Sequence, residues 1–300
     1  MPIFMLISGY FFLNTLNKYR GKWRDFSINQ FKNIIYPIIV WGTISGVYII
    51  SNSGIDKFSL GGIIGWYKSF WFLIALIVCS VIVFFIEHID RGKLKALAYT
   101  IIFVILCFLP AGDSIPFMFP YFFSGFLINK FKEKLILKRN IIKIGGIISA
   151  VLYVFFMYFA FSKEAYIYIS GVNPIISQYG FGMQTVYNLI RWMAGFLGSY
   201  GIATVIFLAQ KKLFIVGKCF SELGKISLQV YVVQHILLEM MFREIYIIIC
   251  ENLGYNVLQS NMMIFNFVYS VLIAIVFSFI IWGFTYILNK LNINKLIFGR

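Results

Sequence analysis

The chain holds 300 residues, 61% of them hydrophobic, 20% aromatic and only 12% charged, with a mean hydropathy of +0.86. Soluble domains average roughly 45–50% apolar and 25% charged residues, which excludes a water-soluble globular protein. An all-α integral membrane protein, a multi-pass helical bundle, is expected instead. The formal charge of +15 invites a nucleic-acid partner, but the placement of the charges removes that reading.

The chain opens on MPIFMLISGYFFLN, with no Lys or Arg before it. A helix of that length spans about 21 Å against a hydrocarbon core of about 30 Å. Secretory signals begin with a positive stretch that this one lacks. With this run at 1–14, apolar segments recur near 33–51, 63–87, 94–110, 115–129, 141–161, 188–209, 226–250 and 262–288, about nine transmembrane helices in all. Lys and Arg gather in alternate loops: Lys18–Lys32, Arg91–Lys95, Lys130–Lys143, Lys211–Lys225 and the tail Lys290–Arg300. These hold 21 of the 26 basic residues, leaving Lys57, Lys68, Lys163, Arg191 and Arg243 on the other side.

That is the positive-inside pattern, so the basic face and the C-terminus are expected to be cytoplasmic, in the cell membrane. The basic balance thus reports topology, with the lipid bilayer as partner and no nucleic acid. Met1 then lies outside, and the expectation is either one further helix upstream, ten in all, or a protein that has lost it. No linker or charge run marks a second domain, so residues 1–300 read as a single transmembrane domain. The longest external loop, about 162–187, carries Tyr166, Tyr168, Tyr179, Phe181 and Tyr187 around Asn173–Pro174. Such a stretch suits the interfacial belt, or covers a site, or stacks on a sugar. Cys79, Cys107, Cys219 and Cys250 lack any C-x-x-C spacing, so neither a metal site nor a disulfide is expected.

Four motifs carry a resemblance. PIFMLISGYFFLN resembles the second-helix signature of the membrane acyltransferase 3 family, of the form P-x-F-F-x-I-S-G-Y. FWFLIALIV (70–78), FPYFFSGFLINK (119–130) and LGKISLQVYVVQHILLE (223–239) resemble its W-F-L segment, its aromatic helix and its L-G-K-x-S-L-x-I-Y segment, in the family's order. The resemblance implies about ten membrane helices, acyl-CoA as donor, and transfer of an acetyl or succinyl group to a hydroxyl of a cell-surface or secreted polysaccharide. It also implies a catalytic histidine on the first helix, to which no position here corresponds. The family's Arg-x-x-Arg pair falls on Gln30 and Asn33, and its late-helix His falls on Gln234, with His235 next.

Without the family, the late helix has its own signal: Tyr231, His235, Glu239 and Arg243 recur every fourth residue as one polar stripe. From a start near Ser227, His235 lies about 12 Å deep, where ionisable groups are costly and face the bundle interior. In a functional reading His235 is the general base or proton relay of acyl transfer and Glu239 holds its tautomer. Tyr231, Gln234 and Arg243 then contact substrate. In the structural reading the stripe is a hydrogen-bond ladder with Arg243 snorkelling to the interface.

Ser8 and Tyr10 line a site or, around Gly9, serve packing. Trp71 lines a cavity or packs. His88 is read as solvated, and Lys68 and Arg191 as interface anchors. Gly195, Gly198, Ser199 and Gly201 suit tight helix packing or an acyl-chain corridor. The basic loops suit the phosphates of coenzyme A. Three function classes follow: a glycan O-acyltransferase, a glycan transporter or polymerase, and a non-catalytic relative of the family.

Overall fold

Backbone groups shut away from water must find partners within the chain, and a helix satisfies them locally. A computed structural model describes residues 1–54, 58–108, 114–133, 139–160, 162–175, 177–209, 227–236, 270–291 and 297–298. These residues are helical nearly throughout, with no strand among them. The protein is an all-α membrane protein. Three stretches, Trp23–Asn52, Ile142–Phe159 and Gly180–Ile206, are long and apolar enough to cross a membrane.

The chain packs as two units. The first takes Met1–Gln30 and Trp71–Lys212, the second Phe31–Phe70 and Leu213–Arg300. The first contains α1 (Pro2–Lys18), α2 (Trp23–Gln30) and, later in the sequence, α5 (Trp71–Glu87), α6 (Gly92–Phe108), α7 (Ser114–Lys130), α8 (Arg139–Phe159), the short α9 (Ile167–Ser170) and α10 (Gly180–Ala209). The second contains α3 (Tyr36–Ser53), α4 (Leu60–Lys68), α11 (Ser227–Gln234) and α12 (Ser270–Lys290). Helices α1, α5, α6 and α7 have 17 residues each, or about 26 Å, a little less than the hydrocarbon thickness.

In the first unit α1 crosses α7 at two glycines. A Cβ on Gly9 would stand 1.9 Å from the Phe122 carbonyl oxygen, and one on Gly125 1.9 Å from that of Leu6. Small residues are what let helix backbones approach this closely where lipid offers no hydrophobic drive. The Asn129 amide locks the crossing by donating to the Tyr10 carbonyl at 2.6 Å. Around it Met5, Phe12, Phe122 and Phe126 are buried, and the Phe26 and Phe84 rings stack with centroids 4.0 Å apart.

The second contact of this kind joins α8 to α10. Gly146 lies against Thr204, Gly201 against Ala150 and Gly198 against Tyr153, while the Ser149 hydroxyl donates to the Leu197 carbonyl at 2.9 Å. Gly195 makes room for Tyr121 of α7, whose hydroxyl donates to the Arg191 carbonyl at 3.2 Å. The glycine run at 195–201 therefore serves close packing. The opposite side of α8 leaves Ile144, Ile147, Val151 and Phe155 exposed, the surface that lipid covers.

In the second unit the rings of Tyr67 and Trp66 on α4 fill the gaps left by Gly42 and Gly46 on α3. Trp41 packs on Phe298 with centroids 5.4 Å apart. Two boundaries differ from the sequence reading. The apolar run 63–87 is interrupted, for helix stops at Lys68 and resumes at Trp71. There the Ser69 hydroxyl donates to the Trp66 carbonyl at 2.6 Å, the local competition that ends helices. Helix α10 begins at Gly180 and not near 188, because its polar first turns find partners in the preceding loop.

Gly9→Ala and Gly125→Ala should each destabilise the protein by about 1–3 kcal/mol or more, since a backbone oxygen has nowhere to go. Gly61→Ala, whose Cβ would meet nothing within 4 Å, should be neutral. Unfolding midpoints of the three variants in detergent check this.

Candidate functional site

One end of the first unit gathers charge. Glu87 closes α5, Lys95 lies in the first turn of α6 and Lys130 closes α7. The Glu87 Oε2 is 2.7 Å from the Lys130 ammonium and 3.2 Å from that of Lys95. Lys95 also donates to the Glu87 carbonyl at 3.0 Å, and the Tyr99 hydroxyl donates to Oε1 at 3.2 Å. The carboxylate side chain is 9% exposed, the two lysines 23% and 32%. Beside this bridge lies a hollow of about 230 Å³ lined by Leu13, Leu16, Asn17, Arg20, Glu87, His88, Lys95 and Lys130. Three cations against one carboxylate leave it positive.

His88 is exposed but not merely solvated. Its Nδ1 lies 2.7 Å from the Phe84 carbonyl, which only accepts, so Nδ1 carries the proton. Its Nε2 accepts from the Gly21 amide at 3.1 Å. The ring thereby ties the turn after α1, where Gly21 has φ +73°, to the end of α5.

A second polar centre sits on α10. Arg191, read from sequence as an interface anchor, is 5% exposed. Its Nε donates to the Ala165 carbonyl, Nη1 to the Gly171 carbonyl and to Asn188 Oδ1, and Nη2 to the Ser170 hydroxyl. Gln184 is wholly buried, donating to the Gly171 carbonyl at 3.0 Å and accepting from Ser177 at 2.7 Å. Asn188 donates to the Val172 carbonyl at 2.8 Å. Residues 184, 188 and 191 share one helix face and strap residues 165–172 and Ser177 to α10. That spacing was the available signal for a bonded arginine in place of an anchor.

The sequence-derived candidates divide between the units. Ser8 and Tyr10 are half-buried on α1, either side of the packed Gly9, and Trp71 is half-buried at the start of α5. Trp71 stands 16 residues from Glu87 along one helix, about 24 Å, so it does not reach the basic hollow. In the second unit Tyr231, Gln234 and His235 lie on the helical segment 227–236. Tyr231 and His235 share a face, and the half-buried His235 ring meets the edge of Phe70 at a centroid distance of 4.9 Å. Glu239 and Arg243 lie outside the described residues, as do Cys219 and Cys250.

At the Arg-x-x-Arg position, Gln30 is 7% exposed and Asn33 sits in a π-turn, Phe31–Ile35. Pro37 follows four residues after Asn33 and cannot donate back to it, which widens the helix there. Among the described residues no three His, Cys, Asp or Glu side chains come together as a metal site would need. Glu87 and Asn17 were not singled out from sequence, whereas Arg20, Lys95 and Lys130 fall in the basic loops read as suited to the phosphates of coenzyme A. The available signal was a carboxylate ending an otherwise apolar helix.

A chain whose described residues are helical, with apolar outer faces and two polar centres in its first unit, fits a membrane enzyme. The acyltransferase 3 family model, described as an acyltransferase domain, matches residues 1–294. The chain belongs to that family and is a membrane acyltransferase. No curated protein and no solved structure matches it.

Arg191→Ala removes three hydrogen bonds to the strap, at the Ala165 and Gly171 carbonyls and the Ser170 hydroxyl, each bond to a charged group being worth about 1.5–3 kcal/mol. Arg191→Lys keeps the charge but loses the fork. Both should lower the unfolding midpoint, alanine more, and both should speed proteolysis within 164–177.

Proposed function

We propose that the protein transfers an acetyl or succinyl group from acyl-CoA to a hydroxyl of a cell-surface or secreted polysaccharide. The observation that carries this reading is the family match over residues 1–294, and the positive hollow at the end of α5 supports it. Coenzyme A bears phosphates, and Arg20, Lys95 and Lys130 supply a cationic lining for one of them. Pockets for whole drug-sized ligands run to roughly 300–1,000 Å³, so a hollow of about 230 Å³ suits a phosphate end rather than the entire donor. The positive-inside distribution supports a cytoplasmic position for this end of the unit and for the C-terminus, the side from which the donor would come.

In the reaction the acceptor oxygen attacks the thioester carbonyl carbon, the C–S bond breaks, and the proton of the hydroxyl passes by way of the base to the departing thiolate. His235 is the proposed base, with Glu239 fixing its tautomer, and Tyr231, Gln234 and Arg243 as substrate contacts. Ser8, Tyr10 and Trp71 are proposed to line the acceptor's path. Polar donors held toward the developing oxyanion would supply much of the rate. A non-catalytic relative is the second reading, favoured by the neutral Gln30 and Asn33 at the family's paired-arginine position.

The test uses the full chain in nanodiscs with labelled acetyl-CoA or succinyl-CoA and envelope polysaccharide. Turnover by the native chain supports the enzyme, and none with any donor favours the non-catalytic relative. His235→Ala should lower transfer about 100-fold or more with an unchanged unfolding midpoint. Full activity in that variant would place the base elsewhere.

A further inference from the structure

Buried N–H and O–H groups are bonded almost everywhere in proteins, and each one that is not calls for a reason. Two such groups sit on α3. The Trp41 Nε1 and the Ser45 hydroxyl are shut away from solvent and have no hydrogen-bond partner, in residues 5% and 1% exposed. The same residue types behave otherwise elsewhere in the chain. On α3 itself Thr43 donates to the Ile39 carbonyl at 2.8 Å and Ser51 to the Val47 carbonyl at 2.9 Å, the local bond that a hydroxyl in an apolar helix commonly takes. Trp192 of the first unit donates through its Nε1 to the Phe117 carbonyl at 3.2 Å. Ser45 and Trp41 do neither.

The two lie four residues apart, on one face of α3 and one turn from each other. Their Cβ atoms are then about 5–6 Å apart, so an oxygen lodged against this face is within reach of both side chains. Phe298 packs on the Trp41 ring, which matches the apolar part of the indole but not its N–H. Within the same unit, Tyr67 fills the gap at Gly42, the neighbour of Trp41. One turn on, Phe70 bonds back to the Tyr67 carbonyl at 3.2 Å and meets the His235 ring. Trp41 is nine residues past Lys32 and His235 eight past Ser227, rises of about 14 and 12 Å.

The indole N–H only donates, and the hydroxyl is neutral. Neither supplies a charge to hold a resident anion in an apolar interior, where ions are costly. Neutral donors suit an oxygen that turns negative for a moment.

We propose that Trp41 and Ser45 are catalytic donors that bond the acyl carbonyl oxygen during transfer. The inference rests on the acyl-transfer reading above and names the oxyanion donors that this reading requires. As the acceptor oxygen adds to the thioester carbon, the π pair of the C=O bond moves onto its oxygen. That pair returns as the C–S bond breaks, and the acceptor proton passes by way of His235 to the thiolate. The Trp41 N–H and the Ser45 O–H hold the oxygen while it is negative, and packing has fixed them beforehand. A buried donor left unbonded weakens a fold, a local conflict expected where a site is kept for a substrate.

The test is transfer by the full chain in nanodiscs, from labelled acetyl-CoA or succinyl-CoA to envelope polysaccharide, with unfolding midpoints from the same preparations. Trp41→Phe and Ser45→Ala should each lower kcat about 100-fold with KM little changed, because bonds made only in the transition state act on kcat. Ser45→Ala should not lower the midpoint, since it removes a donor that the fold leaves unbonded. Ser51→Ala, whose hydroxyl is exposed and bonded within its own helix, should transfer like wild type.

The proposal is overturned if either variant folds and keeps the wild-type kcat, or if the loss falls on KM alone. It is overturned too if Ser45→Ala loses stability in step with activity, the result expected of a hydroxyl that serves the fold through an ordered water. Transfer by wild type and by both variants alike removes these donors and leaves the acyltransferase reading standing. No transfer by wild type with either donor removes both. Ser45→Ala deletes a single atom, so it decides the matter even if Trp41→Phe fails to fold.

Discussion

The crossing of α1 over α7 is the constraint on which the first unit depends. Two glycines let backbone meet backbone, and no side chain could be inserted at either without parting the helices. Because the contact is backbone on backbone, it sets the helices' spacing rigidly. The hollow at the end of α7 inherits its shape from this crossing. Leu13, Leu16 and Asn17 come from the last turns of α1, and Lys130 from the last turn of α7. Between the glycine contact and the hollow lies the Asn129 bond to the Tyr10 carbonyl, one residue from Lys130. Packing and charge are therefore parts of one arrangement.

The two polar centres of the first unit use opposite chemistry. At Glu87 a carboxylate draws flexible lysines from two helices, a half-open arrangement that an anion of similar charge can enter. At Arg191 a planar cation is enclosed by neutral acceptors, two carbonyls, an amide oxygen and a hydroxyl. Guanidinium donors fixed in a fork leave little freedom once matched. Such a centre is closed by its acceptors, whereas the lysines of the first stay partly exposed.

Much of the architecture was legible in the sequence. Composition alone specifies helices in lipid, and the S-G-Y motif of α1 identifies both the family and the glycine at its tightest contact. The charged hollow was not legible, because Glu87 and Lys130 are 43 residues apart and nothing local joins them. The basic loops were read for topology and for a phosphate, but nothing in the sequence showed which lysines meet around Glu87. Arg191 was misjudged for a related reason: near a helix end, an arginine facing lipid headgroups and one facing a folded loop look alike. Only the spacing of Gln184, Asn188 and Arg191 separates them. The break at Ser69 escaped notice because hydropathy is blind to a hydroxyl that bonds its own helix.

The order in which the chain is made gives the two centres different histories. Arg191 meets only residues already synthesised, 26, 20 and 21 positions earlier for its loop partners, so the strap can close as α10 emerges. Glu87 must wait. Its first ammonium is eight residues downstream, but the second belongs to the end of α7. Until that helix is in place, Lys95 is the one ammonium of the pair that the carboxylate can meet. The opening helix waits longest for its partner: its polar lock to Asn129 spans 119 residues, yet the glycine crossing that organises the unit can close before Arg191 is made.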